Sequence, residues 1–270
     1  MAYIQINYFS KCLMRTVTVN AIVPVDKEGN EKKKFKTLYL LHGIFGNYTD
    51  WVNGTRLQRW AEDHDLAVIM PCGENKFYVD NERTLEFHSR FVGEELVNIT
   101  RQLFPLSKKR EDTFIGGLSM GGYGAVVNGL KYHKTFGTII GLSSAFILDM
   151  LPFSNDDETT EYLNRRCYLE SVFGDFDKIK GSDKDYCALV KKIKESKGKF
   201  PDIYLACGSE DFLIKENRAY RDFLKENKVK FTYVESPGVH NWDFWDEYIL
   251  KAIQYLDLKQ NKGTNSGNVK

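Results

Sequence analysis

Apolar segments of strand length alternate with amphipathic segments of helix length along most of the chain. This alternation predicts β–α–β units, in which helices flank a mostly parallel sheet, and therefore an α/β fold. The predicted strands are, in chain order, Arg15 to Val23, Thr37 to His42, Leu66 to Met70, Thr113 to Gly116, Phe136 to Leu142, Asp202 to Cys207 and Lys230 to Glu235. Alternating Val17, Val19 and Ala21 in the first strand favour an antiparallel place at the edge of the sheet.

Helical spacing of apolar residues predicts the helices between these strands. Leu57, Trp60 and Ala61 share one face of a short helix. A longer helix is predicted from a second periodic set, which contains Phe87, Phe91, Val92, Leu96, Ile99 and Leu103. Two further helices are expected from Met120 to His133 and from Phe244 to about Leu256.

The interval from about 144 to 200 does not follow this alternation of strands and helices. From about 144 to 200 no strand is predicted, although a single crossover helix would need far fewer residues. We expect a cap insertion there, whose aromatic and apolar side chains wall a substrate pocket, such as Phe146, Leu151, Phe153, Tyr162 and Phe173. An ordinary helical crossover with long loops is the alternative.

Length and composition favour one domain. A chain of 270 residues is long enough to form a single large core. We expect one α/β domain over residues 1–258, with the cap at 144–200 inserted in it. The tail at 259–270 is rich in Asn, Gly and Lys and is predicted to be disordered.

The charge balance bears on the kind of partner. The chain carries 38 Lys and Arg against 37 Asp and Glu, for a formal net charge of +1. Nucleic-acid and anionic-membrane partners need a strong basic field, which this composition does not supply. No apolar run has the length of a membrane-spanning helix. We therefore expect a small, roughly neutral molecule as partner, with no nucleic acid and no membrane.

The cysteines and the first residues favour a cytoplasmic location. Five cysteines, an odd number, are widely spaced without a Cys-x-x-Cys pair, so we expect free thiols in a reducing compartment. The first ten residues mix polar with apolar side chains and do not fit a signal peptide. Glycosylation-type triplets at Asn47, Asn53 and Asn98 are interpreted as chance matches.

The most specific chemical signal is the run Gly117-Leu118-Ser119-Met120-Gly121, directly after the strand Thr113 to Gly116. A Gly-x-Ser-x-Gly elbow turns so sharply from strand into helix that the serine backbone is strained, and small neighbours let the backbone pass. The serine hydroxyl then stands exposed at the end of the sheet. Ser119 is therefore the predicted nucleophile.

A nucleophilic serine needs a base to take its proton, and the base needs an anion to orient it. In α/β-hydrolase folds these partners follow the serine in the order acid, then histidine. Of five histidines, His240 is the one that follows Ser119 in a loop directly after a predicted strand. His64 and His88 precede Ser119 and are expected on helix surfaces.

The predicted acid is Asp211, in the run Cys207-Gly208-Ser209-Glu210-Asp211 at the carboxyl end of the preceding strand. Glu210 is the nearest rival. Asp243 and Asp246 follow the histidine so closely that they would approach it from the wrong side. An N-cap of the next helix is the alternative role of Asp211, and one side chain can do both.

The oxygen that becomes negative during attack needs preorganised donors, each worth roughly 2.7 to 4 kcal/mol. The backbone N–H of Met120, at the start of the helix after Ser119, is one predicted donor of this oxyanion hole. The second is expected from the loop His42-Gly43-Ile44-Phe45-Gly46, with Ile44 favoured and Phe45 next.

Three aromatic residues near the expected site are predicted to bind substrate: Phe45, Trp51 and Trp242. Trp51 would form the rim of the pocket. Core packing is the alternative for each of them, and also for Trp245, because a large aromatic side chain serves either purpose.

In combination, these motifs resemble those of the esterase D-like family of α/β-hydrolases, over about Ile6 to Leu258. The matching runs are Leu41-His42-Gly43-Ile44-Phe45-Gly46, Gly117-Leu118-Ser119-Met120-Gly121-Gly122-Tyr123-Gly124, Cys207-Gly208-Ser209-Glu210-Asp211 and Gly238-Val239-His240-Asn241-Trp242. Within the family the chain looks most like bacterial tributyrin esterases, which resemble acetyl esterases and feruloyl esterases of carbohydrate esterase family 1. The resemblance implies an α/β-hydrolase fold and a serine carboxylesterase without metal or organic cofactor, often as a homo-oligomer.

Two departures from related enzymes narrow the expected activity. S-formylglutathione hydrolases carry a cysteine and a histidine at the positions of Gly46 and Leu118 here. Mycolyltransferases of similar fold are secreted and have an aspartate in place of His42. We therefore expect hydrolysis of short-chain acyl esters, such as acetyl, butyryl and tributyrin esters. Feruloyl or acetylxylan-type carbohydrate esters come second; S-formylglutathione and a non-catalytic ligand-binding role are the remaining alternatives.

Overall fold

The centre of the molecule is an eight-stranded sheet, most of whose strands run parallel. The computed structural model describes residues 1–256 and 258, so the predicted disordered tail at 259–270 lies outside the described residues. The strands are β1 (Ala2–Ser10), β2 (Arg15–Val23), β3 (Thr37–Leu41), β4 (Ala67–Pro71), β5 (Asp80–Asn81), β6 (Glu86–Phe87), β7 (Thr113–Leu118), β8 (Thr138–Leu142), β9 (Asp202–Gly208) and β10 (Thr232–Ser236).

The strand order across the large sheet is β1-β2-β4-β3-β7-β8-β9-β10, and β5 and β6 form a separate pair. β1 and β2 form an antiparallel hairpin, and β2 also pairs antiparallel with β4. The strands from β4 to β10 in this order run parallel to one another. The carboxyl ends of β3, β7, β9 and β10 therefore meet along one edge, where parallel sheets place their binding loops.

Helices cover both faces of the sheet. They are α1 (Asp50–Gly54), α2 (Leu57–Asp63), α3 (His88–Arg90), α4 (Leu96–Leu103), α5 (Met120–Lys131), α6 (Arg166–Phe173), α7 (Tyr186–Glu195), α8 (Ile214–Glu226) and α9 (Trp242–Tyr255). Short 3₁₀ turns lie at Arg110–Asp112, Leu151–Phe153, Tyr162–Asn164 and Phe176–Lys178. None of the described helices combines the length and the apolar character that a membrane span requires.

The sheet separates two apolar cores. Leu38 and Leu40 of β3 pack into the core beneath α1, α2 and α9. Tyr39 and Leu41 of the same strand pack into the core beneath α4, α5, α7 and α8. Because successive side chains of a strand point to opposite faces, a strand between two cores is apolar at every position. This is why the interior strands appear in the sequence as continuous apolar runs.

The strand β1 was not predicted from the sequence. Its inward-facing side chains, among them Ile4 and Ile6, are half-buried, and the outward-facing side chains are exposed. The alternation is obscured because Tyr3 and Phe9, although aromatic, belong to the outer face and are 45% and 63% exposed. An edge strand needs little apolar character, so the period-two signal is weak.

The long helix predicted from Phe87 to Leu103 is interrupted. A π-helical turn at Phe91–Glu95 joins α3 to α4. Within this turn, the carboxylate of Glu95 accepts hydrogen bonds from the Ser10 hydroxyl and from the backbone N–H groups of Lys11 and Cys12. The helix therefore holds the turn that connects β1 to β2.

The interval 144–200, for which we expected a cap or an ordinary helical crossover, contains a crossover helix preceded by a longer connecting segment. α7 lies between β8 and β9 in the chain and packs against α5, as a crossover helix does. Before it, residues 144–185 contain α6 and three of the 3₁₀ turns instead of a direct connection. Of the expected pocket-lining residues there, Phe146 and Phe173 are buried, whereas Phe153 and Tyr162 are exposed.

Candidate active site

Ser119 stands at the junction of β7 and α5, with φ +53° and ψ −117°. This conformation is strained for a residue with a side chain. A Cβ atom on Gly117 would lie 2.3 Å from the carbonyl oxygen of Gly121, and one on Gly121 would lie 2.5 Å from that of His42. Since these obstacles are backbone atoms, the elbow requires glycine at both positions.

The structure brings Ser119, His240 and Asp211 together in one chain of hydrogen bonds. Ser119 Oγ lies 3.0 Å from His240 Nε2, and His240 Nδ1 lies 2.9 Å from Asp211 Oδ2. An ionised carboxylate only accepts hydrogen bonds, so Nδ1 carries the imidazole proton. Nε2 then has a free lone pair, which accepts the hydrogen bond that the Ser119 hydroxyl donates.

Two neighbouring loops bring the carboxylate to the imidazole. Asp211 follows β9, and His240 follows β10, the strand that pairs with β9. A Cβ atom on Gly208 would lie 2.2 Å from the carbonyl oxygen of Gly238. The close approach of the two loops therefore depends on glycine at position 208.

The environment of Asp211 keeps its side chain ionised. The residue is 2% exposed, and burial alone would raise the pKa of its carboxyl. Hydrogen bonds from His240, from the backbone N–H of Leu213 and from Ser143 outweigh burial and hold the pKa of Asp211 below its usual value. The bond from Leu213, at 2.9 Å, closes the turn before α8. The alternative role of Asp211 as N-cap of this helix is wrong, because Leu213 occupies that position and no side chain caps the helix.

Ser143 was missed by the sequence analysis. It is fully buried at the end of β8, and its Oγ accepts a hydrogen bond of 3.2 Å from the indole Nε1–H of Trp245. Because the Ser143 oxygen accepts this bond, its own proton can be directed to the carboxylate of Asp211, whose pKa it helps to lower. The only sequence signal was a serine directly after the strand next to the elbow strand.

The imidazole of His240 lies between two aromatic rings. The ring of Trp245 is perpendicular to it, with centroids 4.9 Å apart, and that of Phe212 lies 4.5 Å away on a tilted plane. Trp245 is buried, while Phe212 is 73% exposed. Packing therefore limits rotation of the imidazole, and Phe212 presents apolar surface beside it.

The two backbone N–H groups predicted as oxyanion donors are those of Ile44 and Met120. Among the hydrogen bonds of the described residues, neither N–H has an acceptor, so both are free to donate. The N–H of Phe45 donates to Asn75 Oδ1 over 2.8 Å, so it is not available for an oxyanion. Of the two alternatives in this loop, the geometry favours Ile44.

The loop that carries Ile44 is held by His42. The backbone N–H of Gly73 donates to His42 Nε2 over 2.8 Å, and His42 Nδ1–H donates to the carbonyl oxygen of Gly43 over 2.6 Å. Burial lowers the pKa of His42, which keeps the neutral form that both bonds require. A Cβ atom on Gly46 would lie 2.0 Å from Asp50 Oδ2, so a side chain at this position would require the Asp50 carboxylate to move.

The three aromatic residues predicted to bind substrate differ in position. Phe45 is 69% exposed at the loop, with φ +64°. Trp51 is 1% exposed, and its indole N–H donates to the carbonyl oxygen of Leu41 over 3.0 Å. Trp242 packs edge-on against it, with ring centroids 5.6 Å apart. Trp51 therefore lies in the core instead of at the rim, because its polar atom is satisfied by buried backbone.

Among the described residues, Glu74, Glu86 and His88 bring potential metal-ligand atoms within 4.8 Å of one another. Arg15 lies 2.6 Å from the carboxylate of Glu74 and 3.2 Å from that of Glu86, and Lys76 lies 2.9 Å from Glu86. These cations already neutralise the two carboxylates, so the cluster is explained as an ion-pair network.

The two histidines expected on helix surfaces are buried. His64 is 9% and His88 0% exposed, and burial lowers the pKa of His88 to about 3. The apolar face of an amphipathic helix accepts a neutral imidazole, which the sequence pattern does not distinguish from a surface position.

A mostly parallel sheet, a serine elbow at its edge and loops converging on that serine define the α/β-hydrolase fold. A model of the esterase family, described as "Putative esterase", matches residues 10–256. The chain belongs to this family. The predicted fold class and the predicted class of enzyme, a serine hydrolase of carboxylic esters, are thereby confirmed.

Characterised relatives cover nearly the whole chain. An acetyl esterase of Caldicellulosiruptor saccharolyticus is 48% identical over 262 residues, which cover 95% of this chain and 98% of the relative. Fluorophosphonate-binding serine hydrolase F of Staphylococcus aureus is 30% identical, with a TM-score of 0.84 over 96% of this chain and 99% of that one. An S-formylglutathione hydrolase of the same organism is 31% identical, with a TM-score of 0.82 over 94% and 98%.

Proposed function

We propose that this enzyme hydrolyses short-chain acyl esters, acetyl and butyryl esters above all, through an acyl-enzyme on Ser119. The observation that carries the proposal is the continuous set of hydrogen bonds from Ser119 through His240 to Asp211. The lone pair on His240 Nε2 faces the serine hydroxyl, which is the arrangement that a general base needs before attack.

In the first half-reaction, Ser119 Oγ attacks the ester carbonyl carbon while its proton passes to His240 Nε2. The carbonyl oxygen becomes negative and accepts hydrogen bonds from the N–H groups of Ile44 and Met120. When the tetrahedral intermediate collapses, the bond to the alcohol oxygen breaks, and His240 returns its proton to that oxygen. Asp211 stabilises the imidazolium during this exchange.

In the second half-reaction, His240 Nε2 takes a proton from water, whose oxygen attacks the acyl carbon. The same two N–H groups stabilise the second oxyanion. Collapse breaks the bond to Ser119 Oγ, which recovers its proton from the imidazolium, and the carboxylic acid leaves. Each half-reaction returns the imidazole to its neutral form, so the protein's own groups complete the cycle.

Two observations bear on the acyl group. The relative that is 48% identical is an acetyl esterase, which supports a small acyl group. Phe45 and Phe212 present large exposed aromatic surfaces near the oxyanion loop and His240, and such surfaces suit a phenolic ring. Hydroxycinnamoyl sugar esters are therefore the second class of ester that we propose to test.

A thioester substrate is a further candidate, because an S-formylglutathione hydrolase is among the structural neighbours. Against it stands Gly46, where a cysteine is expected in that activity. Because a Cβ atom there would lie 2.0 Å from Asp50 Oδ2, a cysteine at this position would require the Asp50 side chain to move.

We propose that the enzyme is cytoplasmic and that it forms a homo-oligomer. Support for the location comes from cysteines 12, 72, 167, 187 and 207, which are free thiols, as expected in a reducing compartment. Size-exclusion chromatography with light scattering tests the assembly: a monomeric mass across the working concentration range would exclude the oligomer.

The substrate proposal is tested by kcat/KM for 4-nitrophenyl acetate, butyrate and octanoate, methyl ferulate and S-formylglutathione. We expect acetate or butyrate to rank first. Ser119→Ala should lower kcat/KM for them by about 10⁴-fold or more, because the nucleophile acts only in the transition state. Equal rates in the two proteins would show that Ser119 is not the nucleophile.

A fluorophosphonate probe separates the esterase from a non-catalytic binding protein. Stoichiometric labelling of Ser119 requires an activated hydroxyl, whereas an exposed serine such as Ser196, on the last turn of α7, should stay unlabelled. Ser196→Ala serves as the matched control and should keep full labelling and activity. No labelling of the wild-type enzyme would support the binding role instead.

A further inference from the structure

The oxyanion loop is hydrogen-bonded to the segment that follows β4 in the chain. At the start of the loop, the N–H of Gly73 donates to His42 Nε2 over 2.8 Å, and the Tyr78 hydroxyl donates to the carbonyl oxygen of His42 over 3.1 Å. Near the end of the loop, the N–H of Phe45 donates to Asn75 Oδ1 over 2.8 Å. One segment therefore holds the loop at two separate points.

The first peptide unit that matters is the one between Gly43 and Ile44, because it contains the N–H proposed as oxyanion donor. A trans peptide unit is planar, so its N–H and C=O point in opposite directions. The carbonyl oxygen of Gly43 accepts hydrogen bonds from His42 Nδ1–H over 2.6 Å and from the N–H of Gly46 over 3.2 Å. The N–H of Ile44 is thereby directed away from both donors.

The next peptide unit, between Ile44 and Phe45, is held by Asn75. Phe45 has φ +64°, which is a strained conformation for a residue with a side chain. Rotation about the backbone bonds of Ile44 and Phe45 would relieve this strain, but it would turn the peptide unit between them. The hydrogen bond from the Phe45 N–H to Asn75 Oδ1 opposes that rotation, and with it a change in direction of the neighbouring Ile44 N–H.

Asn75 is held in turn by α6, in the long connection before α7. The hydroxyl of Tyr168 donates to the carbonyl oxygen of Asn75 over 2.8 Å. On the same helix, the carbonyl oxygen of Ser171 accepts from Asn81 Nδ2 over 2.7 Å. These two bonds fix α6 against the chain after β4, and the bond at Asn75 links the helix to the oxyanion loop.

We propose that Asn75 and Tyr168 are positioning residues for the oxyanion hole. The inference rests on the proposed function, in which the N–H of Ile44 stabilises the negative oxygen. Asn75 acts through the peptide unit of Phe45, and Tyr168 acts through Asn75. Because a hydrogen bond to an oxygen is strongest when that oxygen carries charge, a misdirected N–H weakens the transition state more than it weakens binding of the neutral ester.

The first test is steady-state kinetics of Asn75→Leu, which keeps the size of the side chain and removes the acceptor. We expect kcat for 4-nitrophenyl acetate to fall about tenfold or more, with KM nearly unchanged. Counting kcat per site labelled by a fluorophosphonate removes the effect of any unfolded fraction. Asn98→Leu is the matched control, because Asn98 is exposed on α4 and its side chain makes no hydrogen bond within the described residues. Wild-type kcat in Asn75→Leu would overturn the proposal.

A transition-state analogue gives a readout that loss of folded enzyme does not change. When 1,1,1-trifluoroacetone binds, Ser119 Oγ adds to its carbonyl carbon, the serine proton passes to His240, and the carbonyl oxygen becomes negative. Asn75→Leu should raise the inhibition constant by about the factor by which it lowers kcat/KM. An unchanged inhibition constant beside a lowered kcat would show that Asn75 does not act on the oxyanion.

A double-mutant cycle tests whether Tyr168 acts through Asn75. Tyr168→Phe alone should lower kcat about threefold or more, whereas in the Asn75→Leu background it should change kcat less than about twofold. Equal effects in both backgrounds would contradict the proposed order of action. Tyr162→Phe is the control: its ring stacks on Tyr168 with centroids 6.1 Å apart, it is exposed, and its substitution should leave kcat unchanged.

Ser119→Ala separates failure of this proposal from failure of the proposed function. If Ser119→Ala is inactive while Asn75→Leu and Tyr168→Phe match the wild type, the positioning role alone is overturned. If Ser119→Ala keeps its activity and the wild type resists labelling by a fluorophosphonate, the proposed function fails and the positioning role fails with it.

Discussion

The proposed acid, Asp211, depends on residues outside the proposed triad. The Ser143 hydroxyl helps to hold the pKa of Asp211 down, and its oxygen accepts a hydrogen bond from the indole N–H of Trp245. A hydrogen bond to a charged group contributes about 1.5–3 kcal/mol. Ser143 is therefore a positioning residue, which acts through Asp211 on the imidazole of His240.

Ser143→Ala should lower kcat about tenfold and leave KM nearly unchanged, because the lost bond orients the base without touching substrate. The pKa of Asp211 should rise at the same time. Steady-state kinetics across acidic pH checks this: the variant should lose activity at a higher pH than the wild type. Trp245→Phe is the comparison variant, since it keeps a ring against His240 but removes the N–H and leaves a smaller ring; a larger loss there than in Ser143→Ala would point to packing instead.

The low pKa of Asp211 predicts how its contribution to stability varies with pH. A carboxylate whose pKa is lower in the folded state stabilises the protein above its unfolded pKa, about 3.9. This contribution is lost as the pH falls through the folded value. Asp211→Asn should therefore be destabilised relative to the wild type at pH 7, and the difference should shrink on acidification below about pH 4.

Urea unfolding at pH 7 and at acidic pH measures that difference. The same variant should lose about 10⁴-fold in kcat at neutral pH, since asparagine does not fix the imidazole tautomer in the same way. A stability difference that stays constant with pH would show that the ionisation of Asp211 does not stabilise the fold.

The proposed oxyanion loop can be tested by adding one methyl group, at Gly46. Gly46→Ala places a methyl group against Asp50 Oδ2 and His42 Nδ1, at 2.0 and 3.0 Å before relaxation. The Asp50 carboxylate must move, which disturbs the bond that it accepts from the Asn47 N–H in this loop. We therefore expect kcat to fall by about 10²-fold, as on loss of one oxyanion donor. Gly29→Ala, where no atom lies within 4 Å, should leave kcat unchanged. Full activity of Gly46→Ala would mean that the loop tolerates displacement.

At the scale of elements, β1 protects the edge of the sheet. It pairs along its whole length with β2, whose residues Val19 to Val23 are buried. Deleting residues 1–10 would leave the edge of β2 that faces away from β4 unpaired along nine residues, and exposed strand edges promote aggregation. We expect a lower midpoint of thermal unfolding and concentration-dependent light scattering.

Phe9→Ser is the matched control for that deletion. Phe9 belongs to β1 but faces outward and is 63% exposed, so its replacement should leave the midpoint of thermal unfolding nearly unchanged. A deletion variant that stays monomeric with an unchanged midpoint would show that β1 is dispensable.

The elements that could be predicted from the sequence are those whose signal is local. β3 and β7 are continuous apolar runs because both faces are buried, and the glycines of the elbow mark the turn after β7. β1 lacks a clear pattern because one of its faces is exposed. The π-helical turn at Phe91–Glu95 keeps helical spacing of apolar residues, so periodicity does not reveal it.

For the site, the sequence indicated Ser119, Asp211 and His240 because each follows a strand in the order typical of the fold. It did not indicate Asn75 or Ser143, whose roles depend on contacts between segments far apart in the chain. Asn75 holds the loop through the Phe45 N–H. Contacts of this kind follow from the arrangement of the strands in the sheet, so a local sequence pattern does not predict them.

At the scale of the whole molecule, the order of the strands explains why the proposed catalytic residues lie along one edge of the sheet. β7 carries Ser119 in the middle of the sheet, β3 beside it leads into the oxyanion loop, and β9 and β10 lead to Asp211 and His240. Two cores fix this sheet from both faces. Each of these residues is thus joined by a short loop to a strand that packing holds in place.

The distance along the chain between the nucleophile and its base has a consequence for biosynthesis. His240 lies 121 positions after Ser119, and the strand and helix that hold it are made after every other strand of the sheet. Domains fold as the chain emerges from the ribosome, at about 5–20 residues per second. A nascent chain that contains Ser119 but not yet His240 lacks the proposed base. We therefore expect esterase activity only from chains that have been made beyond His240.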